Sequence, residues 1–169
     1  MVGSRKTRKL TQTVIYFFNK LCYPQTMKNG IENRNILLKV LKEVMEGEEG
    51  VLFAYLYGSY AYGVVHSESD IDVAVYLNPS DMKEYLKKEK RILSALIDKI
   101  HTDRIDLRIL NVLPLILQYH ILKEGIPIFI KDEQGRIDFE TRVMNRFFEL
   151  KPYLDEYREM LFLRIQTGI

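Results

Sequence analysis

Val51-Leu52-Phe53-Ala54-Tyr55-Leu56-Tyr57-Gly58-Ser59 is an unbroken apolar run halted by a turn pair, and ten residues later the chain reads Asp70-Ile71-Asp72-Val73-Ala74-Val75-Tyr76-Leu77. A short continuous apolar run between turn signals is the pattern of a strand covered on both faces. The spacing predicts one such strand over Val51–Tyr57 and a second over Ile71–Leu77, closed by Asn78-Pro79. Upstream, Ile36, Leu37, Val40, Leu41, Val44 and Met45 recur at helical spacing within Ile31–Met45. Downstream, Met82, Tyr85, Leu86, Leu93, Leu96, Ile97 and Ile100 mark a long helix, and Arg104–Leu110 reads as a third strand. Pro114 opens a short helix that ends at Gly125, Ile126–Ile130 makes a fourth strand, and Asp132-Glu133-Gln134-Gly135 reads as a turn. The rest is helical: Val143, Phe147, Leu150, Leu154, Tyr157 and Leu161 form one seam, expected to pack on the sheet and to kink at Pro152 near Phe148. This order predicts an α/β (α+β) fold, a small mixed sheet of about four strands flanked by helices, with a C-terminal helical segment.

The strand starting at Ile71 carries the chemistry. Side chains two apart on a strand share a face, so Asp70 and Asp72 project together, and each raises the cost of ionising the other. A divalent cation between them removes that penalty, and magnesium prefers hard oxygen ligands while keeping positions open for phosphates. In Arg104-Ile105-Asp106-Leu107-Arg108-Ile109-Leu110 the apolar residues Ile105, Leu107 and Ile109 take one face and Asp106 the other. If that polar face adjoins the second strand, Asp70, Asp72 and Asp106 converge, and a pair of metal ions held there would activate an attacking oxygen and stabilise a pyrophosphate leaving group. Gly58 allows a sharp turn, Ser59 offers a hydroxyl and backbone N–H groups to phosphate oxygens, and a short helix opening at Tyr60–Gly63 would strengthen that site. Each piece alone has an ordinary structural reading; their order and spacing give the constellation its meaning. Arg104, Arg108 and Arg136 are candidates for steadying phosphates, but each reads first as a solvated charge.

Composition bounds the rest. With 169 residues, 47% of them apolar and 28% charged, the chain is expected to fold as a single domain over residues 27–169. Arg5, Lys6, Arg8, Lys9 and Lys20, with no acid among residues 1–26, make a basic N-terminal extension and leave a net acidic body. No direct nucleic-acid binding is expected of such a body. Val14-Ile15-Tyr16-Phe17-Phe18 is too short to cross a bilayer, so no membrane partner and a cytoplasmic location are expected. The lone Cys22 and the scattered His66, His101 and His120 lack the spacing of a soft-metal site.

Gly58-Ser59, ten residues, then Asp70-x-Asp72, with Asp106 as third acid, resembles the signature of the DNA polymerase beta-type nucleotidyltransferase superfamily. The fuller strings Gly58-Ser59-Tyr60-Ala61-Tyr62-Gly63 and Ser69-Asp70-Ile71-Asp72-Val73-Ala74-Val75 are similar to those of the minimal nucleotidyltransferases, the MntA-like antitoxins, over about Ile31 to Leu161. That resemblance implies a nucleotidyltransferase fold and an enzyme that transfers AMP from ATP to a tyrosine of a HEPN-domain ribonuclease toxin, silencing it. It implies Gly58 and Ser59 as phosphate holders, and Asp70, Asp72 and Asp106 as the catalytic acids and ligands of Mg2+, two ions in all. Asp106 is also a candidate for deprotonating the tyrosine hydroxyl. Two other readings stay open: a small-molecule nucleotidyltransferase of the aminoglycoside-modifying kind, and a non-catalytic antitoxin that masks its toxin through the C-terminal seam.

Overall fold

A computed structural model describes residues 30–63 and 69–167. The basic extension expected over residues 1–26, with Cys22, and the loop histidine His66 lie outside the described residues. In chain order the elements are α1 (Gly30–Gly47), β1 (Val51–Tyr57), α2 (Gly58–Tyr62), β2 (Ile71–Leu77), α3 (Met82–Ile100), β3 (Ile105–Ile109), a single 3-10 turn (Leu110–Val112), α4 (Leu115–Glu124), β4 (Ile126–Ile130) and α5 (Glu133–Thr167). The four strands form one mixed sheet in the order β3-β2-β1-β4. β1 runs antiparallel to both β2 and β4, whereas β2 and β3, joined through α3, are parallel. This is the α+β architecture with the four strands expected.

Both sheet faces are covered, which is why β1 and β2 are apolar throughout rather than alternating. On one face Leu41 and Met45 of α1 and Ile92, Leu96 and Ile100 of α3 pack on Leu56, Val73, Val75, Leu107 and Ile109. On the other, Ile121 of α4 and Phe139 and Val143 of α5 pack on Phe53, Tyr55 and Ala74. Phe53 and Tyr76 stack at 4.5 Å between ring centroids, and Phe139 tilts against both. Asp81 caps α3 by accepting from the Glu84 N–H at 2.8 Å. Asn111 ties the end of β2 in place, accepting from Leu77 N and donating to Leu77 O, each at 2.9 Å.

Several expectations change. The Asp132–Gly135 segment is the start of α5 rather than a free turn, because the Asp132 carboxylate accepts from the Gly135 N–H at 2.9 Å and so caps a helix that continues. The strand expected over Arg104–Leu110 is shorter at both ends, and Leu110 begins the 3-10 turn. The segment expected to be helical is one helix on both sides of Pro152. Its seam packs for only part of its length: Val143 and Phe147 are buried, Leu150 and Leu154 are half-buried, and Tyr157 and Leu161 are exposed. From Tyr153 onward the apolar side chains Met160, Phe162, Leu163 and Ile165 also lie in the open.

Candidate active site

Strand register assembles the acids. Tyr57 pairs across β1 and β2 with Asp72, and Asp72 pairs across β2 and β3 with Asp106. Residues opposite one another on neighbouring strands share a face. Tyr57, Asp72 and Asp106 therefore form a row across three strands, on the face that α4 and α5 cover further down. Asp70 lies just ahead of β2 and is exposed, whereas Asp72 and Asp106 are half-buried. Burial, then Asp106, then Asp70 push the Asp72 carboxyl above its ordinary range, with Arg108 opposing them. Asp70 and Asp106 thus both bear electrostatically on Asp72.

Gly58 closes the row. Its φ of +67° is a left-handed conformation that favours glycine. A Cβ at this position would stand 2.1 Å from Asp72 Oδ2 and 3.0 Å from its Cγ, so the carboxylate fills the space that a side chain would need. The Gly-Ser pair and the acid pair are hence one structure, joined at Gly58 and Asp72. The short helix expected from Tyr60 begins at Gly58 itself, so Gly58 and Ser59 form its first turn. At its far end Gly63, also left-handed at φ +75°, closes it. Arg34 of α1 donates to Ala61 O at 2.7 Å, and Tyr62 hydrogen-bonds Glu124 of α4, so α2 is tied to both layers of the fold.

Two residues of the site were not singled out in the sequence. The first is Arg108, expected to be a solvated charge. Its Nε lies 2.8 and 2.9 Å from the two carboxylate oxygens of Asp106, and the pair hold the Arg108 guanidinium more firmly protonated. The second is Tyr57, whose hydroxyl is pushed up to about 12 by burial and by the charges of Asp106 and Asp72, and which hydrogen-bonds Arg108. Strand alternation carried a signal for both: Arg108 is two residues beyond Asp106, and Tyr57 is the last residue before Gly58. Arg136 also departs from expectation, pairing with Glu133 and Glu140 near the start of α5, where Glu140 accepts from the buried Tyr55 hydroxyl.

The donor set fits a hard divalent cation. It consists of carboxylate oxygens, and it carries a surplus of negative charge that the partly buried Asp72 bears at a cost. The ligands are not yet closed on a point: among the described residues no three acidic or sulfur or imidazole groups converge as a ready metal cage. On one side of this set the Arg108 guanidinium pairs with Asp106. Among the described residues no helix is long and apolar enough to cross a membrane.

Known structures share this fold. One chain of a toxin–antitoxin crystal structure with AMP-PNP superposes with a TM-score of 0.59 at 20% identity, over 74% of the present chain and 98% of its own. Another, from a complex of tri-AMPylated Shewanella oneidensis HEPN toxin with MNT antitoxin, gives 0.52 at 20% identity, over 79% and 98%. A third structure, also from Shewanella oneidensis, gives 0.57 at 15% identity, over 75% and 97%. No curated protein sequence matches the chain significantly. The profile of the polymerase beta nucleotidyltransferase domain matches residues 39–134, more than half of the chain and all of the stretch from Gly58 to Asp106, and the chain therefore belongs to that nucleotidyltransferase family.

Proposed function

We propose that this nucleotidyltransferase moves AMP from ATP onto a tyrosine of a HEPN-type ribonuclease toxin and serves as its antitoxin in the cytoplasm. The observation that carries the nucleotidyl-transfer part is the Asp72 carboxylate lying where a Gly58 Cβ would stand, in register with Asp106. That arrangement puts the Asp72 carboxylate against the first turn of α2. Gly58 and Ser59 offer backbone N–H groups and a hydroxyl to the triphosphate. Asp70, Asp72 and Asp106 would hold Mg2+, a pair of ions in the full site, which neutralise the phosphates and stabilise charge on the leaving group when bound. The tyrosine oxygen attacks the α-phosphorus, the bond from that phosphorus to the α,β-bridging oxygen breaks, and pyrophosphate leaves. Asp106 accepts the tyrosine proton once its carboxylate is released by Arg108.

The acceptor rests on different support. The structures that share this fold include toxin–antitoxin complexes, one holding AMP-PNP and one an AMPylated HEPN toxin. The outer half of α5 presents Tyr153, Tyr157, Leu161 and Ile165 to solvent, a face suited to docking a helical partner. The same face favours a second reading, in which the chain masks its toxin by binding alone. To separate them, the protein, ATP and magnesium are incubated with the toxin encoded beside it, and the toxin is weighed by mass spectrometry. The proposal expects additions of AMP units that vanish in Asp70→Asn/Asp72→Asn; a toxin silenced with no added mass establishes masking instead.

A further inference from the structure

A pocket of about 340 Å³ opens at the end of the sheet remote from the acids, between the end of β2, the first turns of α3 and α4, and the Phe139–Arg146 stretch of α5. Tyr76 marks its place. It shares a face with Asp72 but lies four residues further along β2, about 13 Å at a strand's rise per residue. Ala74, fully buried beneath α4 and α5, stands between them. The two sites are separate.

The chemistry of the lining is one-sided. Arg142 and Arg146, one helical turn apart on α5, both border the pocket, and among the described residues no carboxylate does. Neither guanidinium forms a salt bridge among the described residues; Arg142 instead lies 5.5 Å from the centre of the Phe139 ring. The amides on the wall are already engaged: Asn111 with both backbone groups of Leu77, and Gln118 donating to Leu110 O at 2.7 Å. Tyr85 accepts from Ser80 N at 3.1 Å, which leaves its hydroxyl proton to point elsewhere. A cavity with two unneutralised guanidiniums and tyrosine hydroxyls offers donors and positive charge, and such a set is complementary to a phosphate. Leu115, Val143 and Pro79 give it an apolar side, and the volume is that of roughly ten waters, far more than one phosphate group fills.

We propose that this pocket is a second ligand site that takes a phosphate ester of nucleotide size, with its phosphate on Arg142 and Arg146 and its organic part against the apolar side. This second site is independent of the acceptor assigned above, because it uses none of the acids. Its test is isothermal titration of the full chain with AMP in EDTA, so that no divalent cation serves the acid site, with inorganic phosphate and a short polyglutamate peptide as comparison probes. The expected result is AMP binding that persists in Asp70→Asn/Asp72→Asn and weakens at least tenfold in Arg142→Gln/Arg146→Gln, with inorganic phosphate binding more weakly than AMP. Both arginines are exposed, so the double variant should keep the wild-type melting temperature. Tyr76→Phe, which keeps the ring stack on Phe53, should weaken AMP by a smaller factor. AMP binding that is lost with the acids, or indifferent to the arginines, or absent at millimolar concentration overturns the proposal. Tighter binding of the peptide than of AMP overturns the ligand class and makes the pocket a seat for an acidic protein segment.

Discussion

Replacing Gly58 by alanine should uncouple two consequences that most active-site substitutions mix. The first is backbone strain. At φ +67° an L-residue pays about 1–2 kcal/mol, which for a chain of this length lowers the melting temperature by about 2–8 °C. The second is displacement. The added Cβ would stand 2.1 Å from Asp72 Oδ2, and contacts under 3.0 Å are essentially never seen, so the carboxylate must retreat by roughly 0.9 Å. A catalytic group misplaced by about 1 Å costs on the order of 100-fold in rate. Gly63→Ala supplies the matched control: its φ of +75° carries the same strain, but among the described residues nothing lies within 4 Å of the new Cβ. Gly58→Ala should thus lose on the order of 100-fold in AMP transfer, and Gly63→Ala should lose similar stability with transfer within about threefold of wild type. The assay is single-turnover transfer to the toxin under saturating ATP and magnesium, alongside thermal melts of both variants. Equal transfer rates for the two variants would refute the reasoning, since strain alone would then account for Gly58.

Asp72 titrates above its ordinary value of 3.8 in the fold, so the metal-free protein loses stability as pH rises from about that value through the raised one. Asp72→Asn removes that loss and, in EDTA, should melt no lower than wild type at pH 7 while gaining nothing from added magnesium. Arg108→Gln frees Asp106 and leaves three carboxylates without their nearest cation; the metal-free melt should fall, and the rise on adding magnesium should exceed that of wild type. Phe139→Ala opens a cavity beside Phe53 and Tyr76 and should cost about 3–5 kcal/mol in urea unfolding. Among the described residues a stop codon at Tyr153 removes only exposed or half-buried side chains, so the melt should move little, yet toxin capture in a pull-down should be lost.

The sheet was legible because β1 and β2 are buried on both faces, and double burial writes itself as an unbroken apolar run. The acids were legible because strand periodicity places Asp72 and Asp106 without knowledge of the turns. Cap and turn chemistry was not: Asp132 accepting from Gly135 N–H is the same bond in a free turn and at a helix start, and only the conformation of the residues downstream decides between them. Arg108 escaped for a related reason. Sequence shows that it shares a face with Asp106, but whether its guanidinium turns to solvent or folds back depends on how much negative charge the neighbouring strand contributes.

The fate of the C-terminal seam was open to a length argument that periodicity alone does not make. A helix of 35 residues is about 52 Å long at the usual rise. A sheet of four strands spans about 14 Å across, and its longest strands, of seven residues, run about 23 Å. However α5 crosses such a sheet, close to half of it or more must extend past the edge. The apolar seam nevertheless continues through Tyr157 and Leu161 into that overhang, where both side chains lie exposed among the described residues. Spacing tells that a helix has an apolar face; the dimensions of the sheet tell how much of that face the fold can cover. The remainder, left uncovered by the dimensions of the sheet, is the part of the described chain best placed to hold the partner proposed above.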